Sequence, residues 1–315
     1  MKTLMILGGS GYLGKSFLQY FIDGKLKKYK VKKIILLSRN INKLKKIFNI
    51  TSKNVILRKI DLKKVGYLPK ADMIIHAAES SVITKDIKKL KIISKESTKI
   101  TQNLHKILST TKKNMSLLYM SSGAVYGPNQ KKKKFKESDD ISQNVLRKLP
   151  PHKKNYAINK LNSEKLFLSL NKKHNIKIAR GFTFVGKYLQ RDKNYAIGNF
   201  LANALIKKDL KIKSMNSEHV YRSYMDSENL IKSIMLMLND ERTHQNPIFN
   251  IGSDIEISIN ELANKIANLF KLKIIKPIKK SDIIDYYVPS IRKFKRYYKI
   301  KFSENLNKSI MKSIN

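Results

Sequence analysis

Leu7-Gly8-Gly9-Ser10-Gly11-Tyr12-Leu13-Gly14 decides the fold. It follows a short apolar run, Thr3–Leu7, and precedes an amphipathic segment expected to be helical from about Lys15 to Gly24. Gly8, Gly11 and Gly14 stand at the spacing G-x-x-G-x-x-G, which twelve glycines in 315 residues rarely produce by chance. Residues without Cβ let the backbone approach a pyrophosphate. The helix start behind them offers free N–H groups and a positive dipole end. An ordinary glycine-rich turn is the plain alternative. The placement between strand and helix favours a dinucleotide site touched by Gly8, Gly11, Tyr12, Leu13 and Gly14.

Outward from this turn, short apolar runs alternate with longer amphipathic segments. Lys33–Leu37, Val55–Ile60, Met73–His76, Leu117–Ser121, Ile176–Arg180 and Phe249–Ile251 read as strands. Lys89–Leu108 has a helical pattern, and Glu261–Phe270 and Glu304–Ile314 read as later helices. Strands that are apolar throughout, alternating with helices, predict a doubly wound α/β fold whose parallel sheet is covered on both faces. Lys131–Pro151 is polar, charged and closed by Pro150-Pro151, and reads as an exposed excursion.

The dinucleotide has two forms, and the end of the second strand discriminates between them. An acid there binds the ribose 2′-hydroxyl of NAD. Here the strand ends Leu36-Leu37-Ser38-Arg39, with no carboxylate. Ser38 and Arg39 suit a 2′-phosphate, because guanidinium offers forked donors, so NADP is favoured over NAD. Asp61, followed by Leu62, is placed to meet the adenine amino group or to cap its own loop.

Composition narrows the function classes. The chain has 315 residues, 42% of them hydrophobic, which is enough for a sizeable core. It has no Cys, which excludes disulfides, Cys-ligated zinc, iron–sulfur clusters and a Cys nucleophile, and suits a reducing cytoplasm. No metal site is expected. No apolar run is long enough to span a membrane. The net charge is +43, carried by 57 lysines against nine arginines. Readers of nucleic acid use Arg heavily. Lysine spread over the whole length, beside abundant Ile and Asn, reads instead as a solvated surface, so no specific nucleic-acid partner is expected.

Tyr156-Ala157-Ile158-Asn159-Lys160 puts a phenol and an ammonium on one helix face. A cation beside a phenol favours its deprotonated form, which makes a proton shuttle. The spacing alone is uninformative, since Tyr29/Lys33 and Tyr297/Lys301 share it. Context selects Tyr156, because it follows the hydroxyl-bearing strand end Met120-Ser121-Ser122-Gly123-Ala124-Val125-Tyr126-Gly127.

Together these pieces resemble an extended short-chain dehydrogenase/reductase of the NAD-dependent epimerase/dehydratase family, which modifies nucleotide-linked sugars. The glycine turn, Asp61-Leu62, Ile75-His76-Ala77-Ala78, Ser121–Gly127, Tyr156/Lys160, Arg180–Gly186, Arg222-Ser223-Tyr224 and Phe249–Ser253 occur in family order. The resemblance implies a Rossmann-type domain over residues 1–180 carrying the catalytic set. It also implies a smaller, mainly substrate-binding lobe over 181–315, with the strand near 249–251 returning to the main sheet. It implies Ser122 as the catalytic hydroxyl, with Ser121 as its near neighbour, Tyr156 as acid/base and Lys160 as its partner. Ala77 and Ala78 would line the cofactor cleft, and His76 reads as structural there. Asn199 and Arg222 match positions that contact the nucleotide diphosphate of the substrate, Arg222 having a structural ion pair as its alternative. Relatives pair through two helices, one bearing the tyrosine, so a homodimer is expected.

Dehydratases of the family place Asp-Glu directly after the catalytic hydroxyl. Gly123-Ala124 stand there in this chain. The resemblance therefore implies an epimerase or a 4-keto-sugar reductase rather than a dehydratase. A binding protein that holds the dinucleotide without turnover is the non-enzymatic alternative. The Arg180–Gly186 segment departs from the family wording Asn-Val-Tyr-Gly-Pro, which leaves the sugar unspecified.

Overall fold

The computed structural model describes every residue except 79–85, 192–194, 213–214, 243–246, 278–280 and 315. In chain order it begins with β1 (Lys2–Leu7), α1 (Tyr12–Ile22), β2 (Val31–Ser38), α2 (Asn42–Lys45), β3 (Val55–Lys59) and β4 (Met73–His76). There follow α3 (Ile87–Thr110), β5 (Ser116–Ser122), α4 (Gln143–Arg147), α5 (Pro151–Leu168) and β6 (Asn175–Gly181). Next are β7 (Phe184–Val185), α6 (Ala196–Leu205), β8 (Leu210–Lys211), β9 (Val220–Arg222), β10 (Met225–Asp226) and α7 (Ser227–Asn239). The chain closes with β11 (Ile248–Ile251), β12 (Ile257–Ser258), α8 (Ile259–Phe270), β13 (Ile274–Ile275), β14 (Asp285–Tyr287), α9 (Arg292–Tyr297) and α10 (Leu306–Ile314).

Contacts divide the chain into two compact units. The first comprises Met1–Val125, Pro150–Arg180 and Ile231–Phe249, and the second Tyr126–Leu149, Gly181–Leu230 and Asn250–Asn315.

The first unit is organised by a seven-stranded parallel sheet in the order β11-β6-β5-β4-β1-β2-β3. Alternate residues along the strands pack on opposite faces. Met5 and Leu7, Ile35 and Leu37, Leu117 and Tyr119, and Ile176 and Ile178 share one core with Leu104 and Leu108 of α3 and Phe167 of α5. The intervening Leu4, Ile6, Leu36, Ile75 and Leu118 are equally buried. Both faces are dry, which is why the strands read as unbroken apolar runs rather than as alternation. The chain runs outward from β1 through β2 to β3, then returns to β4 on the other side of β1. Strand order reverses between β1 and β4, and open α/β sheets bind their ligands beyond the carboxyl ends of such strands.

The expected elements are all found, β4 with the expected bounds and the others with one or both ends shifted by one to three residues. Helix α1 starts at Tyr12 rather than Lys15, because Gly11 supplies the extended cap residue directly. It stops before Gly24, which takes a left-handed φ of +72°. Helix α8 starts at Ile259 rather than Glu261. Ser258 accepts from the Glu261 N–H while the Glu261 carboxylate accepts from the Ser258 N–H, a capping box that fixes the first turn. Helix α10 begins at Leu306 rather than Glu304.

The reading of Lys131–Pro151 as an exposed excursion needs correction. Phe135 in this segment is buried, stacks on Tyr126 at 5.0 Å and meets Phe182 at 6.1 Å. Leu146 of α4 is also buried, and Pro151 opens α5 at a position where a missing N–H costs nothing. The lysines of the stretch are solvated, while two apolar anchors spaced eleven residues apart escape any periodicity test.

Among its described residues the second unit has only short strands. Its strands pair in short ladders: β9 with β12 and β14, β7 with β10, and β8 with β13. Its core gathers Phe200 and Leu201 of α6, Leu262 and Ile266 of α8, and Ile310 of α10. Among the described residues, no helix is long and apolar enough to cross a membrane.

Candidate active site

The turn after β1 is shaped by backbone contact. Gly8 has a φ of +95°, and a Cβ added to it would lie 2.6 Å from the Ala77 carbonyl oxygen. At Gly14 a Cβ would lie 2.2 Å from the Gly9 oxygen. No side chain fits at either position. Gly9, which the spacing passes over, packs against Leu36. Ala77 donates its N–H to the Leu7 oxygen at 2.9 Å, so the ends of β1 and β4 form one wall. The start of α1 has no side-chain cap and no acid in its first turn. A helix start left this way is a ready anion site. Backbone stripped of Cβ beside it fits a pyrophosphate.

At the end of β2, the Ser38 and Ser10 hydroxyls lie 2.7 Å apart in a hydrogen bond. Arg39 is largely exposed and faces the Glu96 carboxylate of α3 at 3.5 Å. Glu96 also accepts from the Lys63 ammonium at 2.5 Å. That hydrogen bond holds the Glu96 carboxyl below its ordinary range. Asp61 accepts from the Lys63 N–H at 3.0 Å, so it caps its own loop, one of its two expected roles. The carbonyl of Leu62 accepts from the Asn103 amide at 2.9 Å, which pins this loop to α3. Sequence spacing did not reveal Glu96 or Lys63, because they join this rim only through the packing of α3.

Tyr156 and Lys160 lie on α5, which packs along β5. Lys160 is 5% exposed. Its ammonium donates to the Met120 carbonyl at 2.8 Å and stands 5.7 Å from the centroid of the Tyr156 ring. Met120 is two residues before Ser122, so this bond brings the tyrosine row to the hydroxyl-bearing strand end. The two neighbouring serines differ. Ser121 donates to the buried Glu164 carboxylate at 2.5 Å, whereas the Ser122 oxygen accepts from the Ala124 N–H at 3.2 Å. His76 is fully buried between Tyr119 and Phe167, each ring 5.4 Å away, as expected of a structural residue.

Asn199 and Arg222 belong to the second unit. Asn199 is half-buried on α6. Arg222 makes a two-pronged contact with Asp285, at 2.8 and 3.3 Å, and also donates to the Tyr221 and Asp285 carbonyls. Its guanidinium takes up the ion-pair alternative in this structure. The same unit holds an acidic cavity of about 530 Å³ whose lining includes Asp226, Glu256, Glu261 and Glu304, unusual in so basic a chain. Burial pushes the Asp226 and Glu304 carboxyls up from their ordinary values.

Comparison with solved structures places this architecture among known enzymes. A UDP-N-acetylglucosamine 4-epimerase from Methanobrevibacter ruminantium is 18% identical with a TM-score of 0.78, the match covering 99% of this chain and 97% of that one. DesIV, a dTDP-glucose 4,6-dehydratase from Streptomyces venezuelae solved with NAD, is 18% identical with a TM-score of 0.78, over 99% and 95%. A UDP-glucose 4-epimerase from Thermotoga maritima is 14% identical with a TM-score of 0.74, over 99% and 97%. At these identities the likeness concerns the fold. Comparison with curated protein sequences finds no match. The model of one family matches residues 4–252, and the chain belongs to it: the NAD dependent epimerase/dehydratase family.

Proposed function

We propose that this chain is an NAD(P)-dependent nucleotide-sugar epimerase or 4-keto-sugar reductase. The observation that carries the reading is the Lys160–Met120 bond, which ties the Tyr156 row to the strand end at Ser122 within the unit that also holds the glycine turn. Gly8, Gly11, Tyr12, Leu13 and Gly14 would hold the pyrophosphate, with Ala77 and Ala78 beside it. The nicotinamide accepts or returns a hydride at a sugar carbon when bound. Tyr156 takes the proton from the hydroxyl of that carbon as the carbonyl forms, and gives it back on reduction. Lys160, whose ammonium stands 5.7 Å from the centroid of the Tyr156 ring, would sit beside the phenol and meet the ribose hydroxyls of the bound dinucleotide. Ser122 donates to the sugar oxygen that changes between alcohol and carbonyl.

Gly123 and Ala124 offer no acid or base for removing water, so dehydration is disfavoured. Arg39, with Ser38, favours NADP over NAD; Glu96, which already faces Arg39, weakens that preference. Asn199 and Arg222 are proposed to hold the substrate diphosphate, Arg222 exchanging Asp285 for phosphate. Pairing of two copies through two helices of each, one being α5, is proposed as well.

The test is incubation with a panel of UDP- and dTDP-sugars, with and without added NADPH. Isomerisation without net cofactor use identifies an epimerase, and stoichiometric NADPH oxidation on 4-keto sugars identifies a reductase. Tight dinucleotide binding with no turnover of any panel member would favour the non-catalytic reading instead.

A further inference from the structure

Tyr156, Lys160 and Glu164 stand at four-residue steps and form one row along α5. The reading above uses the first two. Glu164 is 3% exposed, and its carboxylate accepts three bonds: from Arg180 Nε at 3.0 Å, from Arg180 Nη2 at 2.7 Å and from Ser121 Oγ at 2.5 Å. Arg180 lies on β6 and is 2% exposed, while Ser121 lies on β5 and is 6% exposed. One buried carboxylate therefore joins a helix to two adjacent strands.

Such a joint is a poor way to gain stability, because removing two charges from water offsets most of their attraction. Its geometry offers something else. The two ties of α5 to β5, Lys160 to the Met120 carbonyl and Glu164 to the Ser121 hydroxyl, fall on successive turns of the helix and successive residues of the strand. Two such ties fix both the rotation of the helix and its position along the strand. A slip of one residue would move the row by about 1.5 Å and turn it by about 100°. A misplacement of about 1 Å at a reacting group is enough to cost on the order of 100-fold in rate.

We infer that Glu164, clamped by Arg180 and Ser121, is a positioning residue that sets Tyr156 and Lys160 in register with Ser122. It touches neither substrate nor cofactor, and it rests on the proton-transfer reading given above. Ser121 is then the serine that holds the frame, and Ser122 the one that meets the sugar.

Ser121→Ala is the cleanest probe, since it leaves the Glu164–Arg180 ion pair in place. Using a nucleotide sugar that the wild-type chain turns over, kcat should fall roughly 10- to 100-fold. KM and dinucleotide affinity should stay within about twofold, and Ser121→Thr should restore most of the rate. Glu164→Gln should show the same split. Amide exchange over residues 156–164 should quicken while that of β1 does not change. A folded Ser121→Ala variant with kcat within twofold of wild type would overturn the inference. So would a loss confined to melting temperature. If Glu164→Gln does not fold, Ser121→Ala decides. Tyr156→Phe run in parallel separates the two levels. An active Tyr156→Phe removes the underlying reading, whereas a dead Tyr156→Phe beside a full-rate Ser121→Ala removes only the positioning role.

Discussion

Two clusters in the first unit use one device, a carboxylate shared between donors, at opposite extremes of burial. In the Ser121–Glu164–Arg180 cluster both charged side chains are 3% exposed. In the Arg39–Glu96–Lys63 cluster the same pairing occurs with Arg39 at 66% and Glu96 at 35% exposure. Water cannot replace a lost partner in the first, and it does so readily in the second. The buried cluster is therefore a fixture, while the rim cluster is a set of exposed charges whose partners water can replace. The family chemistry is proposed to lie beside the fixture, and the choice of dinucleotide at the rim.

Removing one side of the fixture should give the largest effect. Arg180→Ala leaves Glu164 buried without its cation, and unfolding free energy should drop by about 3–5 kcal/mol. Urea titration measures it, and a loss below about 1 kcal/mol would make the two clusters equivalent. Lys177 extends the contrast to a buried cation. Its ammonium is fully buried and donates to the Asn175 amide oxygen at 2.7 Å and the Arg242 carbonyl at 3.1 Å. Burial lowers it from 10.5 to about 8. Between pH 8 and 10.5 the unfolded chain still holds this proton while the folded chain has released it. Unfolding then takes up a proton, and stability rises with pH. Below pH 8 both states are protonated and this slope vanishes. The wild type should gain on the order of 2–3 kcal/mol from pH 8 to 10 that Lys177→Met does not gain. Parallel stability curves would contradict the assignment.

The rim should respond more weakly and in binding rather than folding. Arg39→Ala should weaken NADPH roughly tenfold and leave NADH almost untouched, with stability changed by less than about 1 kcal/mol. Glu96→Gln should strengthen NADPH a few-fold by releasing Arg39 and Lys63, an effect that shrinks as salt is added. Equal loss of both dinucleotides in Arg39→Ala would remove the 2′-phosphate role.

How much of this the sequence discloses follows from what each feature rests on. The sheet was legible because strands covered on both faces must be apolar at every position, as in Met73-Ile74-Ile75-His76. The glycine turn was legible because Gly8 and Gly14 answer to backbone contacts that no other residue tolerates. Tyr156 is singled out in sequence only by its neighbour at Ser122, since its spacing to Lys160 recurs twice in a lysine-rich chain, and its role remains a proposal. Glu164 left a faint signal, one more four-residue step along the same helix row. Glu96 and Lys63 left none, because their meeting depends on how α3 lies against the segments that follow β2 and β3. The second unit was the least legible. Ladders of two or three residues, such as Ile257–Ser258 against Tyr221-Arg222, are too short to show a period, and the anchors Phe135 and Leu146 sit singly in charged sequence.

The most direct measurement is the turnover and dinucleotide affinity of Tyr156→Phe, which deletes one oxygen from the row that Lys160 ties to Met120. Proton transfer through Tyr156 requires kcat to fall by about 10³-fold or more, with NAD(P) affinity within about twofold of wild type. A variant that still turns over its nucleotide sugar within tenfold of the wild-type rate would contradict it.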